Sequence, residues 1–533
     1  MNDVSVPGRS STPWWWLLAF LLGGTALYAP ILNTWFVADD WDFLLLADRS
    51  DNLLVCFTPL LGRFMRPLEV LTYYANYKAF GLHPFPYHFT VVLLHAANTW
   101  LVARFAQRLG ASRSTAFAAG LIFLVFAGHS EAVTWLGGAA DAWLALFVLG
   151  GLLLFARALD AERPAAWMAA ATTVFAAGFL AKETFVIAPA LAAAFGASRL
   201  LAYPRRTTAG QIITRTAIVA VVTSLTGAGY MLMRAHIFGS VLGAYNELST
   251  SGPMMAAETR AFILRSFLPA GRVATWLWVY NYDVALLAAA AILLGVMFVR
   301  YPKDRPALAF LPAALLVSLA PALPLTIALG NSVSERYVYT PTVFSCILIA
   351  WLVGLLRRRL LALTTVVCVV MLHAQALVVA NRAWVEAAQV CQQITAQLVD
   401  IVRAAPPRTR VIVLNVPDTI RGAYSLRSAF INTFYLMARD IDQPEYRVGL
   451  LSSTMDRSPR DLAFIERTGP RAFSIQLKRG LFAQPRLDST SEYTIGRFNS
   501  RSFELTFKDS AGPINVFYTS EGRLYEAGAI DRR

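Results

Sequence analysis

The stretch 14–42, WWWLLAFLLGGTALYAPILNTWFVADDWD, decides the fold. Its first 19 residues carry no charge and open on three tryptophans, and the stretch ends with three carboxylates, Asp39, Asp40 and Asp42, in four positions. About 20 apolar residues cross a bilayer as a helix, and tryptophan favours the membrane interface. The segment is long and lacks a small-x-small cleavage site, so it reads as a retained first span rather than a secretory leader.

Further apolar runs lie near 85–106, 114–129, 140–156, 166–181, 184–203, 216–237, 275–299, 306–328, 338–356 and 360–380, which makes about eleven crossings in all. The composition agrees. Of 533 residues, 56% are hydrophobic and only 15% charged, with mean hydropathy +0.50, whereas a soluble domain carries about a quarter charged residues. The net charge of +14 does not point to nucleic acid, because the basic residues bracket apolar spans and form no patch interleaved with polar aromatics.

Those basic residues set the orientation. Arg9, the group Arg104, Arg108 and Arg113, the pair Arg157 and Arg163, the group Arg199, Arg205, Arg206 and Arg215, the group Arg300, Lys303 and Arg305, and the run Arg357–Arg359 share one side if the spans alternate. That side is cytoplasmic by the positive-inside rule. The N-terminus is then inside, and an odd span count puts the C-terminus outside. The outer side receives the loop Asn33–Pro84, the turn His129–Asp141, the loop Phe238–Arg272 and the turn Asn331–Arg336.

After Ala380 the composition changes. Residues 381–404 read as a polar-faced helix with Trp384, Val390, Ile394 and Leu398 at helical spacing, ended by Ala405-Pro406-Pro407. Strand-like runs follow at Arg410–Val416, Tyr446–Leu451, Ala472–Leu477, Tyr493–Arg497, Ser502–Phe507 and Ile514–Tyr518. The expected architecture is a polytopic α-helical membrane protein, residues 1–380, with a C-terminal α/β extracytoplasmic domain, residues 381–533. Cys346 and Cys368 fall inside spans as small hydrophobes. Cys56 and Cys391 fall on the outer side, where a disulfide between them is permitted.

The outer-side motifs carry the chemistry. Three crowded carboxylates beside lipid repel one another, which raises at least one pKa and suits Asp39 or Asp40 to accept a proton from a hydroxyl. Arg66, in Arg66-Pro67-Leu68, can bind an anionic head group bidentately or neutralise the acidic pair. His88, His95 and Asn98 share a helical face, as in an interhelix hydrogen-bond seam, and His88 is also a candidate pocket residue. The next turn reads Gly128-His129-Ser130-Glu131 through Trp135 to Asp141. Its His129, Glu131, Trp135 and Asp141 can line a substrate pocket or cap helices. A divalent cation held by Asp40, His129 and Glu131 is the candidate metal site; no other cofactor is implied. Lys182 and Glu183 can pair with each other or close the site. Arg336, beside Tyr337, can bind a phosphate or pair with Glu335.

In their order and spacing, these motifs are similar to the GT-C superfamily of membrane glycosyltransferases. They are most similar to the transmembrane O-mannosyltransferases with tetratricopeptide repeats and their bacterial relatives. The resemblance rests on Asp39-Asp40, Arg66-Pro67-Leu68, Phe80-Gly81-Leu82-x-Pro84-x-Pro86-Tyr87-His88 with His95 and Asn98, His129-x-Glu131-Ala132-Val133-x-Trp135, Asp141, Ala181-Lys182-Glu183 and Glu335-Arg336-Tyr337-x-Tyr339-x-Pro341. It spans about residues 14–356. It implies inverting transfer of a sugar from a polyprenyl-phosphate carrier to an acceptor hydroxyl of a glycan, lipid or protein, on the extracytoplasmic face. Asp39 or Asp40 would be the base, and Arg336, Lys182 and Arg66 would hold the donor phosphate. Two departures stand out. The arginine that the relatives place shortly before Asp141 is missing, and so are the repeats. A transporter or flippase, a glycan ligase using a lipid-diphosphate donor and a non-catalytic assembly scaffold are the competing readings. Polar residues at helix ends rather than mid-bilayer argue against the transporter. The alanine- and arginine-rich composition leans towards a bacterial inner membrane.

Overall fold

The computed structural model describes residues 12–59, 64–202, 206–240, 252–270, 281–325, 327, 333–407, 409–441, 448–456, 463–478, 480–483, 487–508 and 513–530. Arg9, Arg205, most of the loop after Phe238, the start of the span at 275, and Asn331 of the last outer turn lie outside them.

A helix stands at each of the eleven predicted positions: Trp15–Leu27, Pro84–Leu109, Arg113–Val125, Ala140–Asp160, Ala165–Gly178, Ala188–Leu200, Arg206–Phe238, Asp283–Arg300, Arg305–Leu319, Tyr339–Gly354 and Arg359–Ala404. Among the described residues, seven helical stretches are long and apolar enough to cross a membrane, or eight if a pair bent by 52° counts as one. The helices at Trp15, Ala165 and Ala188 are shorter. Proline accounts for two of them. Pro30 begins a separate 3-10 turn, Ala29–Ile31, after the first helix. Pro189 occupies the first turn of Ala188–Leu200 and forces its start there.

The solvent these helices expect is lipid. Asp283–Arg300 buries none of its residues and leaves Leu286, Ile292, Leu293, Val296 and Val299 exposed. Such a surface in water is an aggregation hazard, and against acyl chains it is neutral. The chain is a polytopic membrane protein.

The last helix leaves the bilayer. Its 46 residues extend about 69 Å at 1.5 Å per residue, against a hydrocarbon core of about 30 Å. Its N-terminal part exposes Leu360, Leu361, Leu363, Val367 and Met371. Its C-terminal part buries Trp384, Val390, Ile394 and Leu398 in a second core with the sheet residues Val411, Val413 and Phe517. The predicted boundary after Ala380 lies inside this unbroken helix, which ends at Ala404 before the Pro406-Pro407 pair.

The C-terminal sheet domain has a mixed sheet at its centre. Arg410–Val413 pairs in parallel with Val448–Leu450 and with Ile514–Ser520, and the latter forms a hairpin with Arg523–Ile530. Glu521 and Gly522, with φ 51° and 73°, make that hairpin's two-residue turn. An antiparallel sheet of Ala463–Gly469, Ala472–Leu477, Ser502–Phe507 and Tyr493–Gly496 packs beside it, over a core of Phe473, Ile475, Phe503 and Leu505. A third sheet joins Ala423–Tyr424, Val416–Ile420, Ser453–Asp456 and Leu481–Phe482. The expected run Arg410–Val416 therefore splits between two sheets. All four cysteines are free. The disulfide allowed for Cys56 and Cys391 does not form, because Cys56 is buried in the membrane-region core and Cys391 in the sheet-facing core.

Candidate active site

Val37 and Ala38 tuck under the sheet domain, and the Ala38 N–H donates to the Ser425 carbonyl at 2.6 Å. Ala38 adopts φ 48°, a left-handed conformation that an alanine keeps only when its surroundings hold it. The following residues open the helix Asp40–Asp48.

The two adjacent aspartates then part company. Asp40 is 1% exposed. Its Oδ2 accepts from the Val37 N–H at 2.9 Å, and its Oδ1 accepts from the Tyr73 hydroxyl at 2.5 Å and the Gly137 N–H at 3.0 Å. Gly138 makes the last contact reachable. A Cβ there would lie 2.6 Å from the Glu131 carbonyl oxygen, so the turn closes only with glycine. Asp39 occupies the N-cap position without capping anything. It is half-buried, and among the described residues its carboxylate takes no hydrogen bond. Asp42 accepts from the Asn432 amide. The repulsion expected among these acids exists but is smaller than the effect of burial. Burial pushes Asp40 up to about 7 and Asp42 up to about 6, and the Asp39 charge adds less to each.

Beneath this loop lies a network of buried charges. Arg66 donates to Glu183 through Nη2 at 2.9 Å and Nε at 3.3 Å, and reaches Glu69 at 3.5 Å. Arg234 lies 3.9 Å from Glu183. Lys182 Nζ donates to both Asp141 oxygens at 2.7 Å and lies 4.8 Å from the centre of the Tyr337 ring. Lys182 and Glu183 thus take separate partners. Lys182, from a different segment, is the cation that pairs with Asp141. Arg66 neutralises Glu183 and Glu69, not the Asp39-Asp40 pair. Arg336 pairs with Glu131, its backbone N–H donating to the same carboxylate at 2.9 Å, while Glu335 pairs with Arg265. Arg336 also donates to the Tyr337 hydroxyl at 3.0 Å and faces the Trp135 ring at 5.2 Å. The side chains of Arg66 and Arg336 stay 12% and 18% exposed, whereas that of Lys182 is 1% exposed.

Glu131 and Trp135 reach this place because the chain breaks at Phe126, which is extended at φ −61°, ψ 123°, and turns by 52° into Ala127–Thr134. His129 hydrogen-bonds the Thr342 hydroxyl at 2.7 Å. His95 bridges the Tyr339 hydroxyl, at 2.7 Å, and the Leu124 carbonyl, at 3.1 Å. Asn98 donates to the Ala142 carbonyl at 2.8 Å. His88 contacts the Thr34 carbonyl at 3.1 Å. The cation site considered for Asp40, His129 and Glu131 does not assemble. Among the described residues no three His, Cys, Asp or Glu are placed to hold a metal, because these three face Tyr73, Thr342 and Arg336 respectively.

Sequence reasoning missed Glu69, Tyr73, Tyr424 and Asn432. The first two were legible in principle. Glu69 follows Arg66 by three residues and Tyr73 follows Glu69 by four, which puts them on one face of Pro67–Phe80. The other two depend on how the sheet domain docks, which no local pattern encodes.

These acids set a pH dependence. Burial, only partly offset by Arg66 and Lys182, raises Glu69 to about 7. Between its unfolded value and 7, the folded state holds protons on Glu69, Asp40 and Asp42 that the unfolded state has lost, so stability falls as pH rises. Glu183 runs the other way. Burial pushes it up, but Arg66, Lys182 and Arg234 together outweigh that and hold it at about 2. Its contribution is complete above the ordinary glutamate pKa and is lost only in stronger acid. The melting temperature of detergent-solubilised Glu69→Gln, relative to wild type, is expected to rise from about pH 5 to about pH 8. A difference that stays flat or falls over this range would contradict the assignment.

With this geometry in hand, curated relatives place the chain. It is 25% identical over 358 residues to the mouse protein O-mannosyl-transferase TMTC3, covering 60% of this chain and 37% of the relative. It resembles the transmembrane O-mannosyltransferases. A shorter match, 40% over 141 residues, links it to the fruit-fly (Drosophila melanogaster) protein O-mannosyl-transferase Tmtc1, covering 23% of this chain and 16% of that one. The chain thus spans less than two fifths of the length of these relatives. No family model matches it. Among solved structures, ArnT from Cupriavidus metallidurans bound to undecaprenyl phosphate superposes with TM-score 0.48 at 12% identity, covering 93% of this chain and 99% of that one. The Archaeoglobus fulgidus oligosaccharyltransferase AglB, in complex with an inhibitory peptide and a dolichol-phosphate, superposes with TM-score 0.44 at 12% identity, covering 80% and 64%.

Proposed function

We propose that the protein is an inverting glycosyltransferase that moves a sugar from a polyprenyl-phosphate carrier to an acceptor hydroxyl on the extracytoplasmic face of a bacterial inner membrane. The observation that carries this reading is the contrast between its two adjacent aspartates. Asp40 is saturated by three donors and acts as a peg. Asp39 is held on a rigid turn with its carboxylate open, as a general base requires.

Asp39 accepts the proton as the acceptor oxygen attacks the anomeric carbon. The bond from that carbon to the phosphate oxygen breaks, and negative charge grows on the departing carrier phosphate. Fixed cations at that point lower the barrier because they need no reorganisation. Arg66 and Arg336 suit the task best. Each is aimed by a buried carboxylate, Glu183 and Glu131, yet stays partly open. Lys182 supports them from below. His129, Glu131, Trp135, Asp141 and Tyr337 shape the pocket, and His88 braces its edge. In this reading all eleven helices cross the bilayer with the N-terminus cytoplasmic. Residues 1–380 are the transferase, and residues 381–533 are the periplasmic domain.

The test is sugar transfer by the purified protein from radiolabelled polyprenyl-phosphate sugars to endogenous glycan, lipid and protein acceptors. Labelled product is the expected result. No turnover with any carrier-linked sugar, together with unaltered cellular glycans in a strain lacking Asp39, would move the weight to a scaffold or a flippase.

A further inference from the structure

A hairpin of the sheet domain delivers one tyrosine to the edge of the site. Arg421 and Gly422, at φ 49° and 83°, join the strands Val416–Ile420 and Ala423–Tyr424. Positive φ at both positions makes a tight turn whose twist matches that of its strands. Tyr424 pairs with Thr419, and the Ser425 N–H donates to the Asp418 carbonyl at 2.9 Å. The dipeptide Tyr424-Ser425 is therefore fixed within its own domain, and whatever it touches outside is held with it.

It touches both halves of the candidate site. The Ser425 carbonyl takes the Ala38 N–H at 2.6 Å, which ties down the acid loop. The Tyr424 side chain reaches Arg336. Its hydroxyl lies 3.5 Å from Nη1, and its ring meets the Trp135 ring edge-on at 4.9 Å. Trp135 is the ring that the Arg336 guanidinium faces at 5.2 Å. Trp384, from the long helix, stacks on Trp135 at 6.2 Å and meets Tyr424 edge-on at 5.9 Å. All three rings are buried. A hydroxyl at 3.5 Å is at the outer limit of a hydrogen bond and contributes little. A ring packed edge-on against a second ring contributes more, and a guanidinium is attracted to the face of that second ring.

We propose that Tyr424 is a positioning residue for Arg336, supplied by the sheet domain: its ring holds Trp135 against the guanidinium and keeps the arginine aimed at the carrier phosphate. Glu131 and the Tyr337 hydroxyl draw the guanidinium from the membrane side, and Tyr424 closes the side that faces the sheet domain. It touches no substrate and acts through Arg336. The same dipeptide then sets the distance between the acid loop and the phosphate-binding arginine. The inference rests on the reading of Arg336 as a donor-phosphate residue.

The test is a double-mutant cycle on the full-length purified protein, read as the Kd for a polyprenyl phosphate that carries no sugar. Tyr424→Leu keeps apolar bulk against Trp135 and removes the ring. Tyr424→Phe keeps the ring and removes the hydroxyl. Arg336→Gln removes the charge and keeps a donor for Glu131. Tyr424→Leu should raise Kd about tenfold, and in the transfer assay it should raise donor KM more than it lowers kcat. Tyr424→Phe should change Kd by less than about twofold. In the Arg336→Gln background Tyr424→Leu should add nothing, because residues that act through one another are not additive. Kd does not depend on how much of a variant folds, so the cycle separates positioning from stability. An unchanged Kd in Tyr424→Leu overturns the inference, as does an equal rise in both backgrounds, or a phenylalanine variant that follows leucine. Any of these beside a wild type that binds the carrier and turns over leaves the glycosyltransferase reading intact. Wild type that neither binds polyprenyl phosphate nor turns over any carrier-linked sugar overturns both.

Discussion

Asp39→Asn is expected to cut sugar transfer by about 10²–10⁴-fold, the usual worth of a general base, without moving the melting temperature of the purified protein. Asp39 is half-buried and accepts no hydrogen bond among the described residues, so an amide there strands no partner. The adjacent Asp40→Asn should behave differently. Three donors converge on Asp40, from Val37, Tyr73 and Gly137. An asparagine offers one oxygen and turns an NH2 group towards at least one of them. A buried donor left facing a donor costs about 1–3 kcal/mol, and the same turn carries Ala38 and the sheet contact. Asp40→Asn should therefore lose stability and transfer together. Paired thermal melts and turnover on the two variants check this. If Asp40→Asn keeps its melting temperature and loses only turnover, while Asp39→Asn transfers normally, the two roles are reversed.

The sequence carried the membrane part of this fold because lipid imposes a simple rule. Long uncharged runs between basic clusters must be helices, and helices stand at every such run. Two helices are shorter than the apolar runs 14–32 and 184–203 because Pro30 and Pro189 interrupt those runs. The sheet domain was half legible. Ala472–Leu477 and Ser502–Phe507, which alternate apolar and polar residues, form strands with the expected bounds. Arg523–Ile530 and Ala463–Gly469 were missed because they are edge strands whose charges hide the period of two.

In the candidate site, the residue types were legible but their pairing was not. The buried cations and acids come from several distant segments, and any cation could have paired with several acids. Which pairs form depends on helix packing: Lys182 finds Asp141 across 41 positions, and Arg336 finds Glu131 across 205. Local reasoning offered neighbours, Lys182 with Glu183 and Arg336 with Glu335, as the alternatives to a ligand role. Adjacent side chains on a turn point in different directions, so neighbours in sequence are poor partners in space.

The Lys182–Asp141 pair gives the second large effect. Their side chains are 1% and 5% exposed, so the pair lies out of water, and breaking it leaves one bare charge in a low dielectric. Lys182→Met should therefore destabilise by about 3–5 kcal/mol. The stranded Asp141 would also add to the negative potential at Glu69 and Glu131, which already feel its charge. The double variant Lys182→Met with Asp141→Leu removes both charges and fills the space with apolar atoms, and should regain most of the loss, because the pair's attraction does little more than offset its own desolvation. That variant separates structure from chemistry. A folded double variant that transfers sugar with a normal donor KM makes Lys182 a strut beneath Tyr337. A folded double variant with a donor KM raised tenfold or more, about 1.4 kcal/mol of lost binding, places the ammonium at the carrier phosphate. In that case Asp141 holds the charge of Lys182 in store until the donor arrives.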